Sequence, residues 1–178
     1  MGIPTLISTA TPSDAASEDI TSGIDSTYDE YMFVFTDIGP ATDNTNFAFQ
    51  VNVAGQSGFN ETITSTAFIA LHQEDDGAAS VAYDTGLDLA QGTGVQYMNN
   101  GVGNGADESS AGILHLFSPS STTYVKHFYS TNNQYHFNSK SVHTFTAGYI
   151  NVTAAIDEIS FKMTAGNFDG VIQMYGIS

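Results

Sequence analysis

The sequence predicts an all-β protein: a jelly-roll-like β-sandwich of about eight to ten antiparallel strands with an extended N-terminal arm. Three observations carry this. Apolar residues recur with period two in several short segments, turn-forming residues separate those segments at regular spacing, and no segment keeps a 3.6-residue apolar period beyond two turns.

The clearest strand is Asn46-Phe-Ala-Phe-Gln-Val-Asn-Val53, where Phe47, Phe49, Val51 and Val53 share one face. Ile159, Phe161 and Met163 alternate in the same way with Ser160, Lys162 and Thr164. Tyr31-Met-Phe-Val-Phe35 is apolar on both faces, which predicts a strand covered on both sides. Further strands are expected at 63–73, 113–117, 124–130, 134–138, 143–152 and 171–175. Between them lie Gly39-Pro40, Asp76-Gly77, Ser118-Pro119-Ser120-Ser121, Asn132-Asn133 and Ala165-Gly166-Asn167, all turn chemistry. Asp25-Ser-Thr-Tyr28 suits a turn in which short side-chain oxygens bond the local backbone. Residues 81–89, interrupted by Gly86, read as an irregular loop.

Residues 1–22 are small and polar from Ser8 to Ser22 and form the expected arm or edge strand. Residues 23–178 then make one β-sandwich domain, of ordinary size for such a fold. Twelve Phe and nine Tyr supply the large apolar surface of a core without Trp. With no cysteine in the chain, disulfides and thiolate chemistry are excluded.

Charge is the most unusual property. Nineteen acids face three lysines (Lys126, Lys140, Lys162) and no arginine, for a formal net charge of −16. Sixteen of the acids precede residue 110, a stretch without any lysine. Phosphate neutralisation needs Lys and Arg, so nucleic acid and anionic membrane surfaces are excluded as partners. Such self-repulsion is best tolerated in saline surroundings, which shorten the Debye length, so a marine setting is expected. Met1-Gly-Ile-Pro-Thr-Leu6 has neither the basic nor the apolar region of a secretory signal, which predicts synthesis in a cytoplasm.

Several blocks resemble a family of virion structural proteins of marine tailed phages, of the tail-fibre, capsid-appendage or decoration type. They are Ser22-Gly-Ile-Asp-Ser-Thr-Tyr-Asp-Glu-Tyr31, Pro40-Ala-Thr-Asp43 and Tyr83-Asp-Thr-Gly-Leu-Asp-Leu-Ala-Gln91. Leu116-Phe-Ser-Pro-Ser-Ser-Thr-Thr-Tyr-Val-Lys-His127, Ala147-Gly-Tyr149, Ala155-Ile-Asp-Glu-Ile-Ser-Phe-Lys-Met163 and Met174-Tyr-Gly-Ile177 complete the set, which spans nearly the whole chain. The resemblance implies a non-catalytic, β-rich, oligomeric particle component located in the virion. Its expected partners are further copies of itself, as a trimer, and other phage structural proteins such as the major capsid protein or a tail component.

The residues themselves offer little catalytic chemistry. No G-x-S-x-G elbow occurs, and Gly55-Gln-Ser-Gly58 has the wrong spacing for one. Acid pairs are plentiful, but most, such as Glu74-Asp75-Asp76, precede turns where solvated carboxylates are ordinary. No cofactor is expected apart from calcium, for which Asp75, Asp76, Asp84 and Asp88 are the candidate ligands, because they fall in one loop region. A hairpin turning at Asn132-Asn133 would set His127 and His136 diagonally on one face, a candidate transition-metal pair needing His115 or His143 as third ligand. Gly101-Val-Gly-Asn-Gly105 lacks the Lys-Ser/Thr of a phosphate loop and reads as a flexible loop.

Two functions therefore compete. One is a self-assembling, non-enzymatic virion component anchored by its N-terminal arm. The other is a lectin-like jelly-roll module that attaches to host surface glycans, for which Tyr97-Met-Asn-Asn100 or Tyr129-Ser-Thr-Asn-Asn133 would supply the ring and amide groups.

Overall fold

The computed structural model describes residues 2–178, which contain thirteen strands, all antiparallel, and no helix. The larger sheet runs, in spatial order, through β1 (Thr5–Ala10), β13 (Phe168–Ile177), β3 (Glu30–Pro40), β9 (Ser110–Phe117) and β10 (Lys126–His136). It continues through β11 (Lys140–Ile150), β5 (Ile63–Gln73) and β6 (Ala79–Tyr83), with β7 (Ala90–Gly92) also paired to β5. The smaller sheet is ordered β2 (Glu18–Ile20), β12 (Ile156–Met163), β4 (Phe47–Val53), β8 (Gln96–Tyr97). The chain is thus an all-β sandwich, with more strands than its turn spacing suggests because several strands are only two to five residues long. The pairs β1/β2, β3/β4 and β12/β13 each pass from one sheet to the other, a wrapped arrangement like that of jelly rolls, whereas β9, β10 and β11 form a plain meander.

The core lies where β3, β9 and β13 face β4 and β12. Phe33, Phe35, Phe47 and Phe161 meet there with ring centroids 5.1 to 5.9 Å apart, Phe35 edge to face with both Phe47 and Phe161, and Phe168 packs on Phe47 at 5.6 Å. These rings come from alternate positions of their strands, as period two requires. β4 is nevertheless buried at every residue. Its polar side chains are covered as well: Gln50 donates to the carbonyls of Glu61 and Gly94 (both 2.9 Å), and Asn52 accepts from the Phe59 amide (2.6 Å). The sandwich becomes polar under β10 and β11, where buried Ser130, Asn132, Gln134 and Thr144 face the segment 96–100. Gln134 donates to the Asn100 carbonyl there (2.6 Å), and Asn99 accepts from the Phe47 amide (2.7 Å). Gly112 admits this arrangement, since a Cβ would strike the Asn132 side chain and the Thr131 carbonyl.

Lys126 is fully buried and carries no carboxylate partner. Its ammonium donates to the carbonyls of Tyr124 (3.2 Å), Val152 (3.2 Å) and Ala154 (2.6 Å), tying the segment before β10 to the segment after β11. Burial holds its pKa below the ordinary lysine value.

Four expectations need correction. The hairpin at Asn132-Asn133 does not exist: β10 runs unbroken to His136, with Asn132 opposite Thr144 and Asn133 opposite His143. The chain reverses instead at 137–139, where Ser139 takes φ 51° and the Asn138 amide bonds His136 Nδ1 (3.1 Å). Pairing on both flanks, with β9 and β11, outweighs the turn preference of two asparagines. Residues 101–105 are not a flexible loop, because Val102 is fully buried and bridges Thr45 and His136. The stretch 81–89 is strand as far as Tyr83, paired to Phe68. On β3, Tyr31, Phe33 and Phe35 are buried but Met32 and Val34 only half so, which leaves one side of that strand uncovered. The turn at Asp25 does form, with the Thr27 amide on Asp25 Oδ1 (2.7 Å); the Thr27 hydroxyl and, next, this amide lower the Asp25 pKa. Residues 5–10 and 18–20 lie along edges of the two sheets, beside β13 and β12.

Candidate functional site

The outward face of the larger sheet is the feature that the core does not explain. Registry places the outward side chains in rows across the strands. One row is Val34, Ile113, Thr131, Phe145, Phe68 and Tyr83; the next is Met32, His115, Tyr129, Ala147 and Thr66. A third holds Glu30, Phe117, His127, Tyr149 and Thr64. Phe68 stacks on Phe145 (4.6 Å, 12°), Phe145 on His143 (4.3 Å, 17°) and His115 on Tyr129 (4.5 Å, 20°). Phe68, Tyr129 and Tyr83 remain 43%, 42% and 54% exposed, and Val81 73%. Between them runs a shallow groove of about 330 Å³ lined by Thr66, Phe68, Tyr129, Thr131, Phe145 and Ala147.

Its electrostatics set it apart from the rest of the chain. Within 30–36, 64–72, 111–117, 127–135, 141–149 and 171–177, the middles of the six central strands, Glu30 is the only Asp, Glu, Lys or Arg; Asp37, Lys126, Lys140 and Asp169 lie at strand ends. That carboxylate is engaged by His115 Nδ1. The other acids sit at sheet ends, on the small sheet and in loops, including a mouth of about 480 Å³ lined by Asp37, Asp107, Glu108 and Asp169 among others. Two tyrosines on the rim of the face have raised pKa values through bonds to acids, Tyr83 to Asp88 and Tyr135 to Glu74.

The calcium candidates are not brought together. Asp75 and Asp76 occupy the turn before β6, while Asp84 and Asp88 follow it, a strand of five residues and so about 17 Å away. Each carboxylate has a local partner: Asp75 the Gly77 amide (2.9 Å), Asp76 the His72 ring (3.1 Å), Asp84 the Gly86 amide (2.9 Å) and Asn100 (2.6 Å), and Asp88 the Tyr83 hydroxyl. Among the described residues no three metal-ligating side chains converge.

The proposed pairing of His127 with His136 fails with its hairpin. The two lie nine residues apart on one strand, on opposite faces and about 30 Å from each other. His127 packs against Tyr149 on the outward face, and His143 shares a hydrogen bond with Thr131 Oγ1 (2.6 Å). His136 sits at the strand end beside Gly101, where burial and, secondarily, Lys140 hold its pKa below the ordinary value.

Of the two glycan stretches, 97–100 serves the core, since Met98 and Asn99 are fully buried. Tyr129, Thr131 and Asn133 do face outward, while Ser130 and Asn132 point into the sandwich. The outward array itself is not apparent from the sequence taken strand by strand, because it exists only once five separate strands are registered. Its trace is the second apolar face of β3, repeated at Ile113 and Phe117, Tyr129, Phe145 and Tyr149, and Phe68.

No family model and no curated protein matches this sequence. The class that the fold defines is an all-β sandwich of two antiparallel sheets.

Proposed function

We propose that the chain is a non-enzymatic structural component of a tailed-phage particle, a capsid decoration or tail appendage that works by packing against neighbouring protein. One observation carries this: a nearly uncharged aromatic sheet face on a chain of net charge −16. Surface selection for solubility alone would spread charge over that sheet, and half-exposed Phe and Tyr at its centre are costly to keep without a partner. Aromatic residues with few charges are also the composition of interface centres. The blocks that resemble virion proteins point the same way and supply the particle context.

The test is location. Mass spectrometry and antibody-gold imaging of purified particles should find this chain at a fixed stoichiometry on head or tail. Its absence from particles that infect normally removes the reading.

A second reading, attachment to host glycans, is favoured by the groove itself, which sets the Thr66 and Thr131 side chains beside the rings of Phe68, Tyr129 and Phe145. Binding on a glycan array, abolished by Tyr129→Ala, would support it; a blank array with and without calcium would remove it.

A further inference from the structure

The nature of the partner can be argued further, on the reading of the outward face as an assembly surface. Most surfaces of this protein repel a second copy. Acids occupy the loops at both ends of the sandwich and the edge strand β2, and three lysines cannot balance them. Approach through those surfaces brings carboxylates within a Debye length of one another. The middle of the outward face of the larger sheet presents only Glu30, already engaged by a histidine, while Asp37 and Asp169 stand at one end of it. It is the surface on which two copies meet without opposing acids.

The face also has the right size. Six central strands about 4.8 Å apart, with seven to nine residues each at about 3.3 Å, cover about 750 Å², close to the roughly 800 Å² each partner contributes to a standard interface. Its middle holds the residue types that dominate binding energy, with Tyr129, Phe145 and Phe68 around one groove. Polar side chains there are threonines and histidines that bond to their neighbours, as Thr131 does to His143. Packing this face against itself buries like against like without orphaning a charge.

We infer that the outward face of the larger sheet docks on the same face of a second copy of this chain, forming a two-fold pair centred on Tyr129, Phe145 and Phe68. The arrangement is sheet on sheet, about 10 Å apart and about 30° from parallel, like the interior of a sandwich. One self-complementary patch makes an isologous contact and closes at two copies. A trimer needs two different complementary patches.

Light scattering and sedimentation equilibrium on the full chain across the micromolar range test this. The expected mass is twice the 18.9 kDa of one chain. Phe145→Glu sets two carboxylates at the centre of the pair and should weaken it by about 100-fold. Thr66→Glu, at an exposed position on the same groove, should dissociate the pair while keeping the wild-type circular-dichroism spectrum, which separates lost assembly from lost folding. A wild-type monomer throughout, a trimeric mass, or a Thr66→Glu chain that pairs like wild type each overturns the inference. Incorporation into particles distinguishes the two levels. If the wild type is monomeric yet the Thr66→Glu chain is excluded from particles, the face serves another structural protein and only the second copy is refuted. If the variant is packaged normally, the face is not the assembly surface.

Discussion

The two sides of the nine-stranded sheet carry similar side chains and have opposite situations. Inward, Phe33 and Phe35 on β3 press on Phe47 and Phe161 of the second sheet, and Leu114 and Leu116 on β9 are buried in the same cluster. Outward, Val34 and Ile113 stand one residue away along the same strands, joined in one row with Phe145 and Phe68 of β11 and β5, and none of the four is fully buried. Four of the five histidines accompany the outward set, and Glu30 is the one carboxylate away from the sheet ends. The difference lies in what covers each side, and it teaches that apolarity on both faces of a strand reports burial, without saying whether the cover belongs to the same chain. Changes on the inward side should cost folding, and changes on the outward side should cost assembly.

The largest expected effect is on the inward side. Phe161→Ala removes the ring that touches Phe33, Phe35 and Phe47 and should lower unfolding free energy by about 3–5 kcal/mol in denaturant titrations. Next is Lys126→Met, which keeps the stem but strips a donor from three carbonyls. A loss of about 2–3 kcal/mol is expected, read as a lower urea midpoint at unchanged slope. Tyr129→Ala on the outward side should cost the isolated chain about 1 kcal/mol or less while weakening self-association about tenfold or more. Equal losses of stability at Tyr129 and Phe161 would erase the contrast between the two sides.

The smallest effect is on pH dependence. His136 has its folded-state pKa below the unfolded value of about 6.5, so the unfolded chain takes up the proton first as pH falls. Its contribution to stability is therefore present above the unfolded pKa and lost as pH drops through the depressed folded value. Thermal unfolding followed across that window should decline for the wild type, and the decline should be shallower for His136→Phe.

Much of the architecture was legible in the sequence. The alternation at 46–53 and 159–163 located β4 and the end of β12, 63–73 located β5, and the turn residues around Asp25 and Ser118 fell where the chain turns. What misled was local chemistry overruled by distant pairing. Asn132 and Asn133 look like a turn, but flanking strands hold them extended, and the histidine pair built on that turn dissolved with it. Val102, set among glycines, is pinned by Thr45 and His136, contacts separated by tens of residues. The outward face was hardest to see for the same reason: no single strand contains it, and the register joining Val34, Ile113, Phe145 and Phe68 is a property of the assembled sheet.

Hydroxyl-radical footprinting over a dilution series tests the account most directly, because it reads each face residue by residue. The loop residue Tyr124, 73% exposed, should be labelled at every concentration, while Tyr129, Phe68 and Phe145 should be protected in concentrated solution and become reactive on dilution. If Tyr129 and Phe68 are labelled as readily as Tyr124 at all concentrations and in intact particles, the outward face has no partner and the account is wrong.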